Sequence, residues 1–309
     1  MGGIGVVTNP RSRRNKRNPG LQHQLAYVLG EQGALAAPMD LSALESSVEH
    51  FREREIDVLA INGGDGTNHV VLSAFLRVYG DKPLPKVALL RGGTMNTVAS
   101  GLGIRGQPSE LLGRLVSAYH SGEPMALVER NLLVVDDQAG FLFGNGILSH
   151  FLEAYYEAAE PTPASALGVL IHTVASALVG GKFAQRMVRP IQAEVSAGHR
   201  RWTSHSWLTV AAGTVDDIGF GFRPFFRAVD HPGYMHALGM FCDASAVVGQ
   251  LWNVWRGKPL DHPQMVDGVT DRLVIESDQA LPFMIDGDFH QGGQRLEVRT
   301  GPRVQFILP

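Results

Sequence analysis

The sequence predicts an α/β domain followed by an antiparallel, β-rich domain with the character of a sandwich. Up to residue 124, short apolar runs alternate with amphipathic helical patterns, as expected of a parallel sheet covered by helices. From residue 125 onward, short candidate strands separated by turn residues follow one another, which favours antiparallel pairing. A chain of 309 residues can hold two such domains. We therefore predict domains at residues 1–124 and 125–297.

Composition and charge exclude several classes of protein. A net charge of -3 argues against general nucleic-acid binding, which favours a strongly basic domain. The single cysteine, Cys242, cannot form an internal disulfide and fits a reducing compartment. The longest apolar segment, residues 164–179, is too short to span a bilayer and carries His172, and no signal peptide opens the chain. We expect a cytoplasmic protein without a transmembrane segment and without a nucleic-acid partner; a homodimer stays open.

Three predicted strands of the first domain each run into a polar or glycine-rich loop. The strands cover residues 3–8, 56–61 and 86–90, and helices are predicted at 21–30, 41–54 and 111–120. Gly30 is predicted to end the first of these helices, and Asp40 or Ser42 is predicted to cap the start of the second. The loops that follow the strands are Asn9-Pro10-Arg11-Ser12-Arg13, Gly63-Gly64-Asp65-Gly66-Thr67-Asn68 and Gly92-Gly93-Thr94-Met95-Asn96. Because α/β folds bind ligands at the carboxyl ends of parallel strands, the three loops predict one shared site.

The second of these loops has the pattern of a phosphate site. Glycines let the backbone adopt conformations closed to other residues and approach a ligand without a Cβ clash. Consecutive N–H groups and the dipole of the following helix would then face an anion. Thr67 is the predicted N-cap of that helix. The chain contains no G-x-x-x-x-G-K-[ST] pattern, so this is not a Walker A loop.

Asp65 is an unusual member of a phosphate loop. A carboxylate there would repel the ligand unless it faces a cation or a substrate hydroxyl. Asp65 is therefore a candidate catalytic residue and a candidate ligand of a magnesium ion carried by a nucleotide. The alternative interpretation is an aspartate that only shapes a turn.

Five basic residues lie within the seven positions 11–17. They form the strongest charge cluster of the chain and allow two interpretations. The cluster is either a solvated loop or a binding site for nucleotide phosphates or an anionic membrane surface. Its place after a predicted parallel strand favours the binding site.

The second domain is predicted to consist mainly of short strands. Helices are predicted at residues 151–159, 164–179 and 244–255. Strands are predicted at residues 126–135, 141–144, 188–195, 201–211, 237–241, 272–276, 281–285, 295–299 and 304–308.

Two carboxylates stand close together in the late segment Asp286-Gly287-Asp288. In an extended segment residues i and i+2 point to one face, so one carboxylate could accept a proton while the other orients a metal or a hydroxyl. The alternative is a hairpin turn built on Asp-Gly. Neither a zinc-ligand spacing nor a G-x-S-x-G nucleophile elbow occurs in the sequence.

Taken in order, these motifs resemble the diacylglycerol kinase catalytic-domain family, which includes bacterial lipid kinases and sphingosine kinases. The motifs are the Asn9-Pro10 loop, Gly63-Gly64-Asp65-Gly66-Thr67, Gly93-Thr94-Met95-Asn96 and Asp286-Gly287-Asp288. Gly144-Asn145-Gly146 resembles the entry to the second domain of that family. The resemblance covers nearly the whole chain, and its ordered combination is more specific than any single piece.

The resemblance implies a nucleotide-binding first domain of the NAD kinase/diacylglycerol kinase type, with a tail of about residues 298–309 that returns to it. ATP and Mg²⁺ would be used, and the acceptor would be a lipid at a membrane surface, with which the protein associates peripherally when active. The base would be Asp288, where relatives carry Glu, or Asp286. Nucleotide contacts would come from Asn9, Pro10, Arg11, Ser12, Arg13, Gly63, Gly64, Asp65, Gly66, Thr67, Asn68, Gly93, Thr94 and Asn96.

Three functions are compatible with these residues. The first is an ATP-dependent lipid kinase that phosphorylates diacylglycerol or a related lipid. The second is a small-molecule kinase similar to NAD kinase, which shares the Gly-Gly-Asp-Gly-Thr loop. The third is a catalytically silent nucleotide- or lipid-binding protein of the same fold. This alternative is supported by the positions at which the chain departs from the family pattern, Asp40, Pro232 and Asp288. The Gly-Thr-Met-Asn loop favours the lipid kinase.

Overall fold

A computed structural model of the chain describes residues 2–31, 33–150, 189–219 and 221–309. The helices predicted at residues 151–159 and 164–179 lie outside this part. Two compact units are present, and neither is one continuous stretch of chain. The first comprises Met1–Arg130, Asp137–Ala139 and Pro302–Pro309, and the second comprises Asn131–Asp136 and Gly140–Gly301.

The first unit contains a parallel sheet in the strand order β2-β1-β3-β4. Its strands are β1 (Ile4–Thr8), β2 (Ala34–Ala36), β3 (Val58–Asn62) and β4 (Lys86–Leu89). β1 and β3 are buried over their whole length, as expected of parallel strands covered on both faces. Phe306, near the end of the last strand, β18 (Arg295–Leu308), pairs in parallel with Val87 of β4.

The helices of the first unit follow local signals in the sequence. They are α1 (Arg13–Arg17), α2 (Leu21–Leu29), α3 (Leu41–Glu53), α4 (Asp65–Tyr79), α5 (Thr97–Gly101) and α6 (Pro108–Ser121). α3 begins where the Asp40 carboxylate accepts the N–H of Ala43 at 2.8 Å, which confirms one of the two predicted caps. α2 ends at Gly30, whose φ of 70° suits glycine. α6 starts three residues before its prediction because Pro108 occupies its first turn.

The register of the parallel sheet brings the strand ends to one level. Thr8, the last residue of β1, pairs with Asn62, the last residue of β3. The N–H of Leu90, just after β4, donates to the carbonyl of Ile61 at 2.9 Å. The three loops predicted to share a site therefore leave the same edge of the sheet.

The second unit is built from antiparallel strands, as predicted. One sheet has the order β14-β13-β12-β7-β16-β17, and another part of the unit pairs β10, β9, β15 and the first half of β18. The strands not yet given are β5 (Ala126–Val135), β6 (Gln138–Gly140), β7 (Leu142–Asn145), β8 (Ile191–Gln192), β9 (Glu194–Ala197), β10 (Arg200–Arg201), β11 (Ser206–Trp207), β12 (Thr209–Gly213), β13 (Met235–Met240), β14 (Met265–Thr270), β15 (Arg272–Glu276), β16 (Pro282–Ile285) and β17 (Asp288–Gln291). Its core includes the buried rings of Trp202, Trp207, Phe143 and Phe283.

Several strand predictions after residue 125 need correction. The strand predicted at residues 188–195 is divided into β8 and β9, and β6 and β17 were not predicted. β14 was not predicted, although it pairs with β13 over six residues. The strand predicted at residues 201–211 is broken into β10, β11 and β12. The two strands predicted at 295–299 and 304–308 are one, because β18 continues through Gly301 and Pro302. The helix predicted at residues 244–255 is present as α7 (Ala244–Trp255).

Candidate functional site

Buried amide groups join the first two loops beneath the candidate site. The Asn62 side chain donates to Thr8 Oγ1 at 2.8 Å, and the Asn15 side chain donates to the carbonyl of Asn9 at 2.7 Å. The Asn9 side chain donates to Thr67 Oγ1 at 2.9 Å. Sequence reasoning missed Asn15 and Asn62 as site residues, since an asparagine beside glycines or arginines is ordinary turn chemistry. These bonds fix the first loop against the start of α4.

The glycines of the second and third loops are needed because the two backbones touch. A Cβ on Gly93 would lie 2.2 Å from Gly64 Cα and 2.8 Å from Gly64 N. The N–H of Gly93 also donates to the carbonyl of Gly63 at 2.8 Å. The sequence-based reason for these glycines was partly wrong, since Gly64 has an extended backbone with φ -97°. The need to avoid a Cβ clash does explain these glycines, but the backbone of one loop approaches the backbone of the other loop and not a ligand.

The backbone strain of this region lies in non-glycine residues of the third loop. Arg91 and Asn96 have φ values of 59° and 50°, in the left-handed region. The Asn96 side chain accepts the N–H of Gly93 at 3.1 Å and donates to the carbonyl of Gly93 at 3.0 Å, which closes the loop on itself. Thr94 and Met95 are exposed at its tip.

Asp65 connects the second loop to α5. Its two carboxylate oxygens accept the N–H groups of Thr97 at 2.9 Å and Val98 at 3.2 Å. These N–H groups belong to the first turn of α5 and have no partner within that helix. Burial raises the pKa of the Asp65 carboxyl above its ordinary value of 3.8, and the hydrogen bonds from Thr97 and Val98 act in the opposite direction. An aspartate in the glycine loop therefore has a structural reason in addition to any chemical one.

α4 begins at Asp65, two residues before the predicted N-cap Thr67. Gly64 is the capping residue, and no side chain caps the helix. Thr67 therefore lies inside the first turn, where its hydroxyl accepts from Asn9. The correction matters for the site because the unpaired N–H groups of the first turn of α4 start directly after the glycine pair.

The basic segment forms a short helix, α1, rather than the predicted loop. Ser12, just before it, donates to the carbonyl of Gly92 at 3.1 Å, so the segment is attached to the third loop. Nη1 of Arg14 is buried and has no hydrogen-bond partner among the residues that the structure describes. The same holds for Nε of Arg91, whose Nη1 donates to the carbonyl of Ile104. Two guanidinium groups thus keep buried donors available.

The charges of Arg14, Arg105 and Asp65 act on the Arg91 guanidinium. Burial lowers the pKa of the Arg91 guanidinium, the charges of Arg14 and Arg105 lower it further, and the Asp65 carboxylate opposes them. Around Arg91, two further cations and one carboxylate leave a local excess of positive charge. Such an excess beside a helix N-terminus is suited to a polyanion.

The segment of Asp286 and Asp288 forms a hairpin in the second unit. Ile285 pairs with Asp288, and Asp286 and Gly287 between them have φ values of 48° and 89°, as in a type I′ turn. The extended geometry that would place both carboxylates on one face is therefore wrong, and the alternative turn interpretation is correct. The Asp286 carboxylate accepts the N–H groups of Phe141 and Leu142, each at 2.9 Å. Asp288 is half-buried at the start of β17.

The predicted site residues fall into two groups. The structure brings the nucleotide-site candidates together at one edge of the sheet in the first unit, and the hairpin carries the other two. Within the described ranges, no group of three or more histidine, cysteine or acidic residues could hold a metal ion. No helix in those ranges is long and apolar enough to cross a membrane. The first group comprises Asn9, Pro10, Arg11, Ser12, Arg13, Gly63, Gly64, Asp65, Gly66, Thr67, Asn68, Gly93, Thr94 and Asn96.

Comparison with known proteins points to lipid kinases. Residues 4–125 match the family model described as the diacylglycerol kinase catalytic domain. The probable lipid kinase YegS of Escherichia coli O1:K1 is 22% identical over 255 residues, which cover 82% of this chain and 79% of that protein. The same figures hold for the probable lipid kinase YegS of Shigella flexneri.

The fold is also similar to a solved structure. The crystal structure of a diacylglycerol kinase from Bacillus anthracis str. Sterne superposes with a TM-score of 0.65 at 12% identity, covering 99% of this chain and 97% of that one. The predicted fold class, an α/β unit and an antiparallel β unit, is confirmed. The resemblance of this chain to the diacylglycerol kinase catalytic-domain family is confirmed as well, since residues 4–125 match the model of that catalytic domain.

Proposed function

We propose that this protein is an ATP-dependent lipid kinase, which transfers the γ-phosphate of Mg-ATP to the hydroxyl of diacylglycerol or a related lipid. The observation that carries the proposal lies at the edge of the first unit where the three loops end. There, Arg14 of α1 and Arg91 of the third loop each have a buried guanidinium nitrogen that finds no hydrogen-bond partner among the described residues, and the N-terminus of α4 lies at the same edge. That edge lies within the residues that match the diacylglycerol kinase catalytic domain. A polyphosphate would satisfy these donors.

The residues of the first unit fit a nucleotide triphosphate in two respects. The first turn of α4 offers backbone N–H groups that have no partner in the helix, and the dipole of α4 adds positive potential there. Arg14 and Arg91 supply charge-assisted donors at the same edge. These groups would bind the phosphates and hold the terminal one in place, which is most of what phosphoryl transfer requires of a protein.

Asp65 is the residue that we assign to the magnesium ion of Mg-ATP. The Asp65 carboxylate accepts the backbone N–H groups of Thr97 and Val98, and the Thr97 side chain also bonds to it. A carboxylate oxygen is a ligand that a hard cation, or one of its waters, prefers. When bound, magnesium neutralises negative charge on the transferred phosphoryl group. Asp65 would therefore both fix α5 and contribute the negative charge that a magnesium site needs.

We assign the general base to Asp288 and a positioning role to Asp286. The Asp286 carboxylate already accepts two backbone N–H groups, which hold the turn in place. Asp288 follows that turn at the start of β17. A base must take the proton of the acceptor hydroxyl as the phosphorus–oxygen bond forms, and Asp288 occupies the position at which the resemblance places that base.

Transfer of labelled γ-phosphate from Mg-ATP tests the proposal. The acceptors are diacylglycerol, monoacylglycerol, sphingosine, ceramide and NAD, each offered separately with detergent-dispersed lipid where needed. Labelled lipid supports the lipid kinase and identifies its acceptor. Labelled NAD would instead establish a small-molecule kinase. ATP binding without a labelled product from any acceptor would favour a silent binding protein.

A further inference from the structure

α7 of the second unit is an apolar helix whose described side chains all keep some exposure. Its sequence, ASAVVGQLWNVW, is rich in valine and tryptophan, yet no side chain from Ser245 to Trp255 is buried. Trp252 is 62% exposed and Trp255 is 49% exposed. Large indole rings with that much exposure are uncommon on a protein surface and indicate a surface that meets a partner.

The two indoles form one ordered surface. Their rings stack with centroids 5.1 Å apart. The Arg256 guanidinium lies over the Trp252 ring at 5.7 Å from its centroid. The edge of Trp255 lies close to Gly221, since a Cβ on that glycine would lie 3.2 Å from Trp255 Nε1. These contacts reduce the side-chain entropy that the rings lose when this surface binds.

Positive charge borders the indoles at the end of α7. Arg256 and Lys258 are exposed, and within the part of the chain that the structure describes neither forms an ion pair with a carboxylate. The nearby Arg223 is neutralised by Asp216, and Asp261 meets α7 through its backbone. Asp243 caps the opposite end of the helix, about 20 Å from Arg256 at the rise of an α-helix.

We propose that Trp252, Trp255, Arg256 and Lys258, named the tryptophan face, dock this protein on an anionic lipid bilayer. Indole rings favour the boundary between headgroups and acyl chains, and basic residues beside them are attracted to anionic headgroups. The choice of a bilayer over a protein partner rests on the proposed function, because a kinase with a membrane-embedded acceptor must work at such a surface. The assignment needs no catalysis and can be tested without ATP.

Tryptophan fluorescence of the full chain gives a direct test. The protein is mixed with vesicles of phosphatidylcholine, with and without phosphatidylglycerol, in which the lipids carry bromine on their acyl chains. Emission from Trp252 and Trp255 should be quenched on the vesicles that contain phosphatidylglycerol. Trp202 and Trp207 are buried in the core and serve as internal controls, so a W252F/W255F variant should keep its emission unquenched.

Two variants separate the apolar and the charged contributions. In a vesicle co-sedimentation assay, W252A/W255A should weaken binding roughly tenfold or more, since less apolar area leaves water. R256Q/K258Q should weaken binding about twenty-five-fold at low salt, because each basic residue near an anionic surface contributes roughly fivefold to the affinity. Tyr27→Ala, at a ring 88% exposed in the first unit, and K82Q/K86Q are the matched controls and should bind like the wild type.

Three outcomes would overturn the assignment. They are wild-type emission that bromine does not quench, variants of the tryptophan face that bind vesicles as the wild type does, and a change of molecular mass in W252A/W255A without any change in vesicle binding. The last outcome would show that the tryptophan face binds a second copy of the chain instead of a bilayer. Phosphoryl transfer to a detergent-dispersed acceptor should be unchanged in W252A/W255A, so a failure of the proposed kinase activity is read separately.

Discussion

Replacing Gly93 by alanine tests the backbone contact that joins the second and third loops. The new Cβ would lie 2.2 Å from Gly64 Cα and 2.8 Å from Gly64 N, and neither atom can move aside by a side-chain rotation. Overpacking of this kind costs about 1–3 kcal/mol of unfolding free energy. The loops would separate to relieve it, so the affinity for ATP should fall together with the stability.

Gly113→Ala is the matched control for this substitution. Gly113 lies within α6, and the nearest atom to a Cβ there is Val28 Cγ1 at 3.9 Å. Alanine in the interior of a helix is about 0.5–1 kcal/mol more favourable than glycine, so this variant should be more stable than the wild type. Urea unfolding followed by circular dichroism measures both variants, and titration with ATP measures the site. A Gly93→Ala protein as stable as the wild type, with unchanged ATP affinity, would refute the proposed contact.

Three further predictions concern charged residues. Asp65→Asn should abolish phosphoryl transfer to any lipid and weaken the start of α5 by about 1 kcal/mol. Because burial raises the pKa of Asp65 in the folded protein, ionisation of this residue lowers the free energy of unfolding as the pH rises above 3.8. Urea titrations at several pH values should show that the variant lacks this decline. A retained decline, or full activity, would contradict the role of Asp65. Arg13→Gln/Arg14→Gln should weaken ATP binding, and the effect should be smaller at high salt because salt screens the lost charges. Lys82→Gln is the control and should bind ATP as the wild type does. Equal ATP affinities of the double variant and the wild type would mean that α1 is only a solvated surface. Asp288→Asn should remove turnover, whereas Asp286→Asn should lower the free energy of unfolding by about 1–3 kcal/mol because it loses the bonds to Phe141 and Leu142. Turnover that persists in Asp288→Asn and is lost in Asp286→Asn would exchange their roles.

The first unit was largely predictable because its signals are local. Apolar runs mark the parallel strands, and Asp40 and Gly30 mark helix ends that the structure confirms. What the sequence left hidden was the reason for particular residues. The contact of Gly64 with Gly93 and the capping of α5 by Asp65 both join positions that are far apart in the chain. A pattern of neighbouring residues carries no information about such partners.

The second unit was less predictable because its pairing overrides local preference. β14 reads Met-Val-Asp-Gly-Val-Thr, with two poor strand formers at its centre, yet it pairs with β13 along its full length. The carboxylate of Asp267 is tolerated there because the buried His236 lies 3.0 Å from it and Arg227 lies at 3.4 Å. The Asp286–Gly287 turn was recognisable as a hairpin signal, but its hydrogen bonds to the backbone at residues 141–142 were not.

The division of β18 between the two units has a consequence for synthesis on the ribosome. The part of β18 up to Gly301 belongs to the second unit, while Pro302–Pro309 belong to the first, where Phe306 pairs with Val87. These two partners are separated by roughly two hundred residues, a contact order that favours slow closure of the sheet. During synthesis, β4 of the first unit therefore lacks its partner β18, and that edge of the sheet stays unpaired until β18 has been translated. Vectorial folding of this chain cannot finish its first unit first.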